Sequence, residues 1–286
     1  MEDFSDILLV TDLDGTFFGE KSSIVPRNME AINYFKAGGG LFTIATGRMH
    51  CNISRSLPMV KELLNAPMIS CNGALMYDMR TGKAMNERLI PVKLGMDIVD
   101  YSVSHYGDVG ARVSTSNGFL CSDEIAAACP RIAKDLKTCD PLMLNMAPFE
   151  RWNEFSWYKI IIRGDSDRLD SLRAELEKNF GDAVEISKSG ASFLEIQSEG
   201  TNKSVQLDAL REYCEKEKGR KITVWYSGDY ENDLEIMKVA DVAVCPANAL
   251  DCVKEICRLC LCRNTEGLMA DIIETIAARK GGKCSF

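Results

Sequence analysis

The sequence predicts an α/β protein, a doubly wound and mostly parallel sheet with an inserted α+β unit. Three observations predict it. Short apolar runs alternate with helical patterns in the first and last thirds of the chain, the order that builds parallel βαβ units. The middle of the chain breaks that order with hairpin signals. Four polar clusters also fall where strands of the outer thirds end: Asp12/Asp14, Thr46-Gly47-Arg48, Asn72-Gly73, and Asp229 with Asn232-Asp233. Ligands of open α/β sheets bind beyond those carboxyl ends, so residues far apart in sequence are expected on one rim.

Taken in order, Ile7 to Val10 is an uninterrupted apolar run, as a strand buried on both faces requires. Pro26 to Phe35 reads as a helix with proline near its start, stopped by Gly38-Gly39-Gly40. Leu41 to Ala45 is a second buried strand, followed by helix-like sequence. Met68 to Cys71 is a third, and Asn72-Gly73 turns it back on Ala74 to Tyr77 as a hairpin. Leu94 to Tyr106 is helical, Ala111 to Thr115 and Phe119 to Ser122 form a hairpin, and Ile125 to Lys137 is mixed. Trp157 to Arg163 is a strand. Asp167 to Phe180 is a helix with Leu169, Leu172 and Leu176 on one face, which reads as core. Val184 to Ser187 and Phe193 to Ile196 pair around Ser189-Gly190. The alternation then resumes: strand Ile222 to Tyr226, helix Leu234 to Val239, strand Val242 to Val244, helix Ala249 to Ile256, strand Leu259 to Cys262 and helix Gly267 to Ala278. The expected division is residues 1–82 and 194–286 as the α/β core, and 83–193 as the inserted cap.

A chain of 286 residues suits that division. The net charge of −8, without a basic run, argues against nucleic acid as a partner. The start of the chain is acidic, and no apolar run approaches membrane-spanning length, so a cytoplasmic protein without membrane attachment is expected. No obligate protein partner is evident. Of the twelve cysteines, Cys71, Cys121, Cys245, Cys260 and Cys262 sit in strand-like stretches and read as reduced, buried thiols. Cys257, Cys260 and Cys262 lack a second pair at zinc-site spacing. His50 and His105 read as surface or packing residues. Trp152, Trp157 and Trp225 read as packing, with Trp152 also able to reach a ligand from the cap.

Alone, Asp12-Leu13-Asp14-Gly15 reads equally well as a turn after a strand. Beside the other clusters it reads as chemistry. Carboxylates gathered on one rim repel one another, and a hard divalent cation relieves this. Magnesium favours a few carboxylates together with water and phosphate oxygens. A carboxylate beside a metal-held phosphate is a competent nucleophile, and a second acid two residues on is placed to move protons. Thr46 offers a hydroxyl at a strand end, and a lysine would complete the charge balance.

These residues resemble a known family. Asp12-Leu13-Asp14-Gly15-Thr16, Ala45-Thr46-Gly47-Arg48 and Gly228-Asp229-Tyr230-Glu231-Asn232-Asp233 resemble the first, second and fourth motifs of the haloacid dehalogenase-like (HAD) superfamily, in the form of its Cof-type sugar-phosphate phosphatases. Lys203, in Gly200-Thr201-Asn202-Lys203-Ser204, stands where the third motif is expected, and Asn264-Thr265-Glu266-Gly267 extends the likeness towards the end of the chain. The resemblance implies a Rossmann-like core with a cap that sets specificity, and a magnesium-dependent phosphatase acting on a small phosphorylated metabolite, a sugar phosphate, through a phospho-aspartate. It implies Asp12 as nucleophile and metal ligand, and Asp14 as acid/base with its carbonyl on the metal. Thr46 and the Gly47 amide would bind the phosphoryl group, and Lys203 would neutralise it together with Asp12. Asp229 would ligate Mg2+ directly, and Asp233 directly or through water. Leu13, Arg48, Asn72 and Asn232 complete the expected phosphate and substrate contacts. Arg48 reads equally as a partner for a neighbouring carboxylate, and Asn232 as the residue that orients Lys203. Three stretches depart from the family pattern: Phe17-Phe18, Tyr230-Glu231, which adds a charge near the metal, and Glu199 to Asn202 before the lysine. The alternatives are a phosphomutase of the same superfamily and a non-catalytic binder that keeps the fold.

Overall fold

A computed structural model describes residues 2–282 and 284–286. The chain begins with β1 (Ile7–Thr11), α1 (Pro26–Ala37), β2 (Leu41–Ile44), α2 (His50–Ser56), α3 (Val60–Leu63), β3 (Met68–Ser70), β4 (Leu75–Asp78) and β5 (Lys83–Glu87). It continues with α4 (Val92–His105), β6 (Gly110–Thr115), β7 (Gly118–Cys121), α5 (Asp123–Ala128), α6 (Pro130–Thr138), β8 (Leu144–Met146), β9 (Trp157–Arg163), α7 (Ser166–Phe180), β10 (Val184–Gly190) and β11 (Phe193–Ser198). It closes with α8 (Leu207–Lys218), β12 (Thr223–Ser227), α9 (Leu234–Val239), β13 (Val242–Pro246), α10 (Asp251–Ile256), β14 (Leu259–Leu261) and α11 (Leu268–Arg279).

The first and last groups interleave in one parallel sheet, ordered β14-β13-β12-β1-β2. Its strands are apolar at successive positions because both faces are covered. Ile7 and Leu9 pack with Phe42, Val244 and the α11 side chains on one face, while Leu8 and Val10 pack with Val224, Tyr226 and Leu207 on the other. β1 lies between β12 and β2, and Thr11 stands opposite Ser227 of β12. The strand order reverses here, which opens the crevice where α/β sheets bind ligands. The hairpin expected around Asn72-Gly73 forms as β3 and β4, and β5 adds a third antiparallel strand. Gly73 has φ +94°, and a Cβ there would meet the Asn202 carbonyl at 1.9 Å, so only glycine lets the Lys203 segment approach the turn.

The middle group builds a six-stranded sheet, ordered β10-β11-β9-β6-β7-β8. Ala111, Val113, Ile160, Ile162, Leu194 and Ile196 bury one face against α4 and α7, including Leu169, Leu172 and Leu176. The alternate positions, among them Arg112, Ser114, Lys159, Ile161, Phe193 and Glu195, project from the other face towards the ends of the parallel strands. The sequence read as mixed over 125–137 is two helices. Ser122 caps α5 by accepting from the Ile125 amide at 3.2 Å, and Pro130 starts α6.

β5 still pairs with β4, and β11 pairs with β10 as far as Ser198, so these sheets run past the 82/83 and 193/194 boundaries. Two sequence expectations need correction. Trp152 is fully buried on the helix-covered side of the cap. Its indole donates to the Ala147 carbonyl at 3.0 Å and packs edge-on against Trp157, so it cannot reach a ligand. Cys260 is exposed and Cys262 only half-buried, because β14 is the edge strand and has a neighbour on one side only.

Candidate active site

The loops after β1 and β12 meet because their strands are adjacent. The Asp12 amide donates to the Ser227 carbonyl at 2.8 Å, which ties the first acid to the end of β12. The chain then turns tightly through Leu13–Phe17 and closes with the Phe18 amide on the Leu13 carbonyl at 2.8 Å. Gly15 sits at φ +83° in this turn, and a Cβ there would fall 2.2 Å from the Asp229 carboxylate. The Thr16 hydroxyl donates to Asp229 at 2.6 Å. Asn248 donates to the Gly15 carbonyl at 2.8 Å, and Asn264 to the Phe18 carbonyl at 2.7 Å. Asn264, noticed in sequence only as part of the family likeness, thus holds the Asp12 loop from behind.

Asp12, Asp229 and Asp233 bring carboxylate oxygens within 4.8 Å of one another, and all three are buried. Lys203 is fully buried and donates to Asp12 at 2.8 Å and to Asp233 at 2.6 Å. Burial opposes its charge, but Asp12 and Asp233 together hold its pKa above the ordinary lysine value. Burial pushes the Asp12 carboxyl well up, against the pull of Lys203 and with a further push from Asp233 and Asp229. Burial, then the charge of Asp233, pushes Asp229 up to about 7. Three buried acids around one lysine leave the site short of positive charge, and their all-oxygen donor set fits a hard divalent cation.

The three acids are not equivalent. One oxygen of Asp233 accepts from Lys203 and from the Tyr226 hydroxyl at 2.5 Å. The other accepts from the Asp229 and Tyr230 amides at 2.9 and 3.1 Å. Asp229 accepts only from Thr16 among its side-chain contacts, so it keeps more free coordination capacity.

Thr46 ends the run from β2, its amide donating to Ile69 of β3 at 2.9 Å. Its hydroxyl oxygen accepts from the Arg48 amide at 3.2 Å, which leaves the hydroxyl proton free for a ligand oxygen. Arg48 grips Asp14 with both arms of its fork, Nε at 2.7 Å and Nη2 at 2.5 Å, and donates to Ser56 at 2.6 Å. Of the two readings open for Arg48, the structure displays the contact with a neighbouring carboxylate. Leu13 is buried in the core, so only its backbone can serve a ligand. Asn232 donates to Asn72 at 3.1 Å, and the hydrogen bonds of the Lys203 ammonium go to two carboxylates instead.

A cavity of about 440 Å³ lies over Asp12, Asp14, Thr46, Gly47, Arg48, Asp229 and Asn232, roofed by the cap sheet. Several of its residues escaped sequence reasoning. Lys159 and Glu195 form a buried ion pair at 2.7 Å on the cap's inner face. Lys159 also donates to the Gly47 carbonyl at 2.5 Å, and Asn72 donates to Glu195. The pair therefore bridges the cap to two rim loops at once. Alternation within β9 and β11 was the only available signal, and it marks a polar face without saying what that face meets. Glu231 pairs with Arg173 of α7 at 2.7 Å, a second tie between rim and cap.

Comparison with known proteins agrees with this geometry. Residues 9–273 match the family model of the haloacid dehalogenase-like hydrolases. The chain is 24% identical to the 5-amino-6-(5-phospho-D-ribitylamino)uracil phosphatase of Bacillus subtilis, covering 93% of this chain and 96% of that one. It is 23% identical to the pyridoxal phosphate phosphatase of Escherichia coli, covering 93% and 97%. A HAD/Cof-like hydrolase from Plasmodium vivax has the same fold, with a TM-score of 0.80 at 20% identity over 95% of this chain and 96% of that one. The chain belongs to the haloacid dehalogenase-like hydrolases and is a phosphatase of their Cof type.

Proposed function

We propose that the protein hydrolyses a small phosphate monoester of a sugar or polyol, with Mg2+, through a phospho-aspartate on Asp12. The observation that carries this reading is Asp12 itself. It sits at the carboxyl end of β1, beside Lys203 at 2.8 Å and two further acids, on the floor of a cavity with Asp14 and Thr46. The B. subtilis relative acts on a phosphorylated ribityl chain, which supports a polyol phosphate. The roles given to the site residues, and the division into a core and a cap of about residues 83–193, are part of this proposal.

Asp12 and Asp229 would hold the ion directly, with the Asp14 carbonyl. Asp233, its oxygens already filled by four donors, would hold it through water. The ion would supply positive charge against Asp12 and the phosphoryl oxygens. One oxygen of Asp12 attacks phosphorus, and the bond to the leaving alcohol oxygen breaks. Thr46 and the Gly47 amide hold the phosphoryl oxygens, and Lys203 offsets their charge. Asp14 gives its proton to the leaving oxygen, then takes one from the water that attacks phosphorus and frees Asp12. To reach those atoms, Asp14 must leave the Arg48 fork.

Phosphate release from p-nitrophenyl phosphate and a panel of sugar, polyol, nucleotide and pyridoxal phosphates tests the reading. Release is expected with Mg2+ and should disappear with a chelator. Equal activity after chelation, or no release from any ester, overturns it. Mg2+ should also raise the unfolding temperature, by about 2.7 kcal/mol of added stability at ~100 times its dissociation constant.

The Lys159–Glu195 pair gives a separate prediction. Lys159→Met leaves Glu195 buried without its cation and frees the Gly47 carbonyl. The expected loss is about 3 kcal/mol of stability in denaturant unfolding, the size typical of breaking a buried pair. kcat/KM is expected to fall by roughly two orders of magnitude as Gly47 and Asn72 lose their registration with the cap.

A further inference from the structure

Among the described residues, the cations around the cavity pair off with one exception. Arg48 holds Asp14, Lys159 holds Glu195, and Lys203 lies between Asp12 and Asp233. Arg112 and Arg163, both on the inner face of the cap sheet, share the single carboxylate of Asp135. Asp135 lies 2.9 Å from Arg163 and 3.6 Å from Arg112. Arg163 is further held by the Ser192 carbonyl at 2.6 Å and hydroxyl at 2.8 Å. Arg112 is the cation left over. Its Nε and Nη1 are buried without a hydrogen-bond partner among the described residues, and its guanidinium lies over the Phe119 ring at 4.3 Å. Two residues along β6, on the same face, the hydroxyl of the fully buried Ser114 also lacks a partner. Arg112, Ser114 and Phe119 all line the cavity that holds Asp12 and Asp14.

A guanidinium in a low-dielectric wall without its own counter-charge is unfavourable until an anion meets it. A stacked guanidinium presents a planar fork, and that fork matches carboxylate or phosphate oxygens. The cavity volume of about 440 Å³ lies within the range of small-molecule sites, ~300–1,000 Å³, so a leaving group can extend from Asp12 to the cap.

We propose that Arg112 and Ser114 form a subsite for a second anionic group, a carboxylate or a second phosphate, on the leaving group of the substrate. This rests on the phosphatase reading of Asp12. The physiological ester is then dianionic at one end and anionic at the other. Arg112 sets which ester is chosen and does not touch the transferred phosphorus.

Three hexose esters of matched length test the proposal: glucose 6-phosphate, 6-phosphogluconate and glucose 1,6-bisphosphate. The wild type should favour one or both of the doubly anionic esters over glucose 6-phosphate by about 10- to 100-fold in kcat/KM, the range of one charge-assisted hydrogen-bonded contact. Whichever ester gains more identifies the second anion as carboxylate or phosphate. Arg112→Gln should bring the ratio to within about twofold of one, and Arg112→Lys, which keeps the charge without the fork, should retain an intermediate preference. A wild-type preference for glucose 6-phosphate overturns the proposal, as does a ratio unchanged in Arg112→Gln. Should Arg112→Gln fail to fold, Arg112→Lys decides alone, and an unchanged ratio in it overturns the proposal. Calorimetric binding of the same esters to wild type and variants separates the two readings. Without turnover of any ester the phosphatase reading fails, while an Arg112-dependent binding preference still supports the subsite and equal binding rejects it.

Discussion

Asp12→Asn is expected to abolish phosphate release, by at least about 10⁴-fold in kcat, because an amide oxygen cannot replace the carboxylate proposed to take up the phosphoryl group in this cavity. The substitution keeps the volume of the side chain and the hydrogen bond that the residue 12 amide donates to the Ser227 carbonyl. It also removes one charge from a cluster in which burial already disfavours ionisation of Asp12. Without metal, the variant should therefore unfold at the same temperature as wild type or slightly higher. Activity and thermal denaturation measured on one preparation check both parts. Magnesium-dependent turnover in Asp12→Asn at more than a few per cent of wild type would remove the phospho-aspartate from the mechanism. Lost activity together with a large loss of stability would make Asp12 a structural residue.

Lys203→Met is expected to damage both stability and catalysis. Lys203 is fully buried between Asp12 and Asp233, and its removal leaves two buried carboxylates facing each other without a cation. Breaking such an arrangement from one side costs about 3–5 kcal/mol. kcat should fall by roughly 10³-fold, since the charge proposed to balance the transferring phosphoryl group is gone. Mg2+ should recover part of the lost stability and little of the activity, because it restores positive charge near Asp12 but not the ammonium donor. Urea unfolding with and without Mg2+, beside steady-state rates, reads all three. A variant as stable as wild type would mean that Asp12 and Asp233 do not depend on Lys203 for their charge.

The polar rim at the strand ends was legible from sequence because its residues obey a local rule. Asp12, Thr46, Asn72 and Asp229 each follow a short apolar strand, and the doubly wound topology carries such strand ends to one edge. Lys203 was found by likeness, since a lysine at the start of a helical stretch is ordinary without its acids. The cap's contribution was not legible. Arg112, Ser114, Lys159 and Glu195 are polar positions in strands whose other face is apolar, the pattern that any half-exposed strand would give. Glu231 looked like an added charge beside the metal, and in the fold it is tied to Arg173 of the cap.

By itself, then, the sequence determined the alternation of elements, the two kinds of sheet and the acids that line the rim, because hydrophobic period and strand-end chemistry are local properties. Only the tertiary structure decided what those acids face. It matched Asp14 with Arg48 and filled both oxygens of Asp233, leaving Asp229 the freer carboxylate. It turned the polar face of the cap sheet onto the cavity instead of solvent, and it left Arg112 without a counter-charge of its own. The physical reason is that pairing of charges depends on distance and burial across elements far apart in the chain, and no periodicity along one strand encodes which face its neighbours will cover.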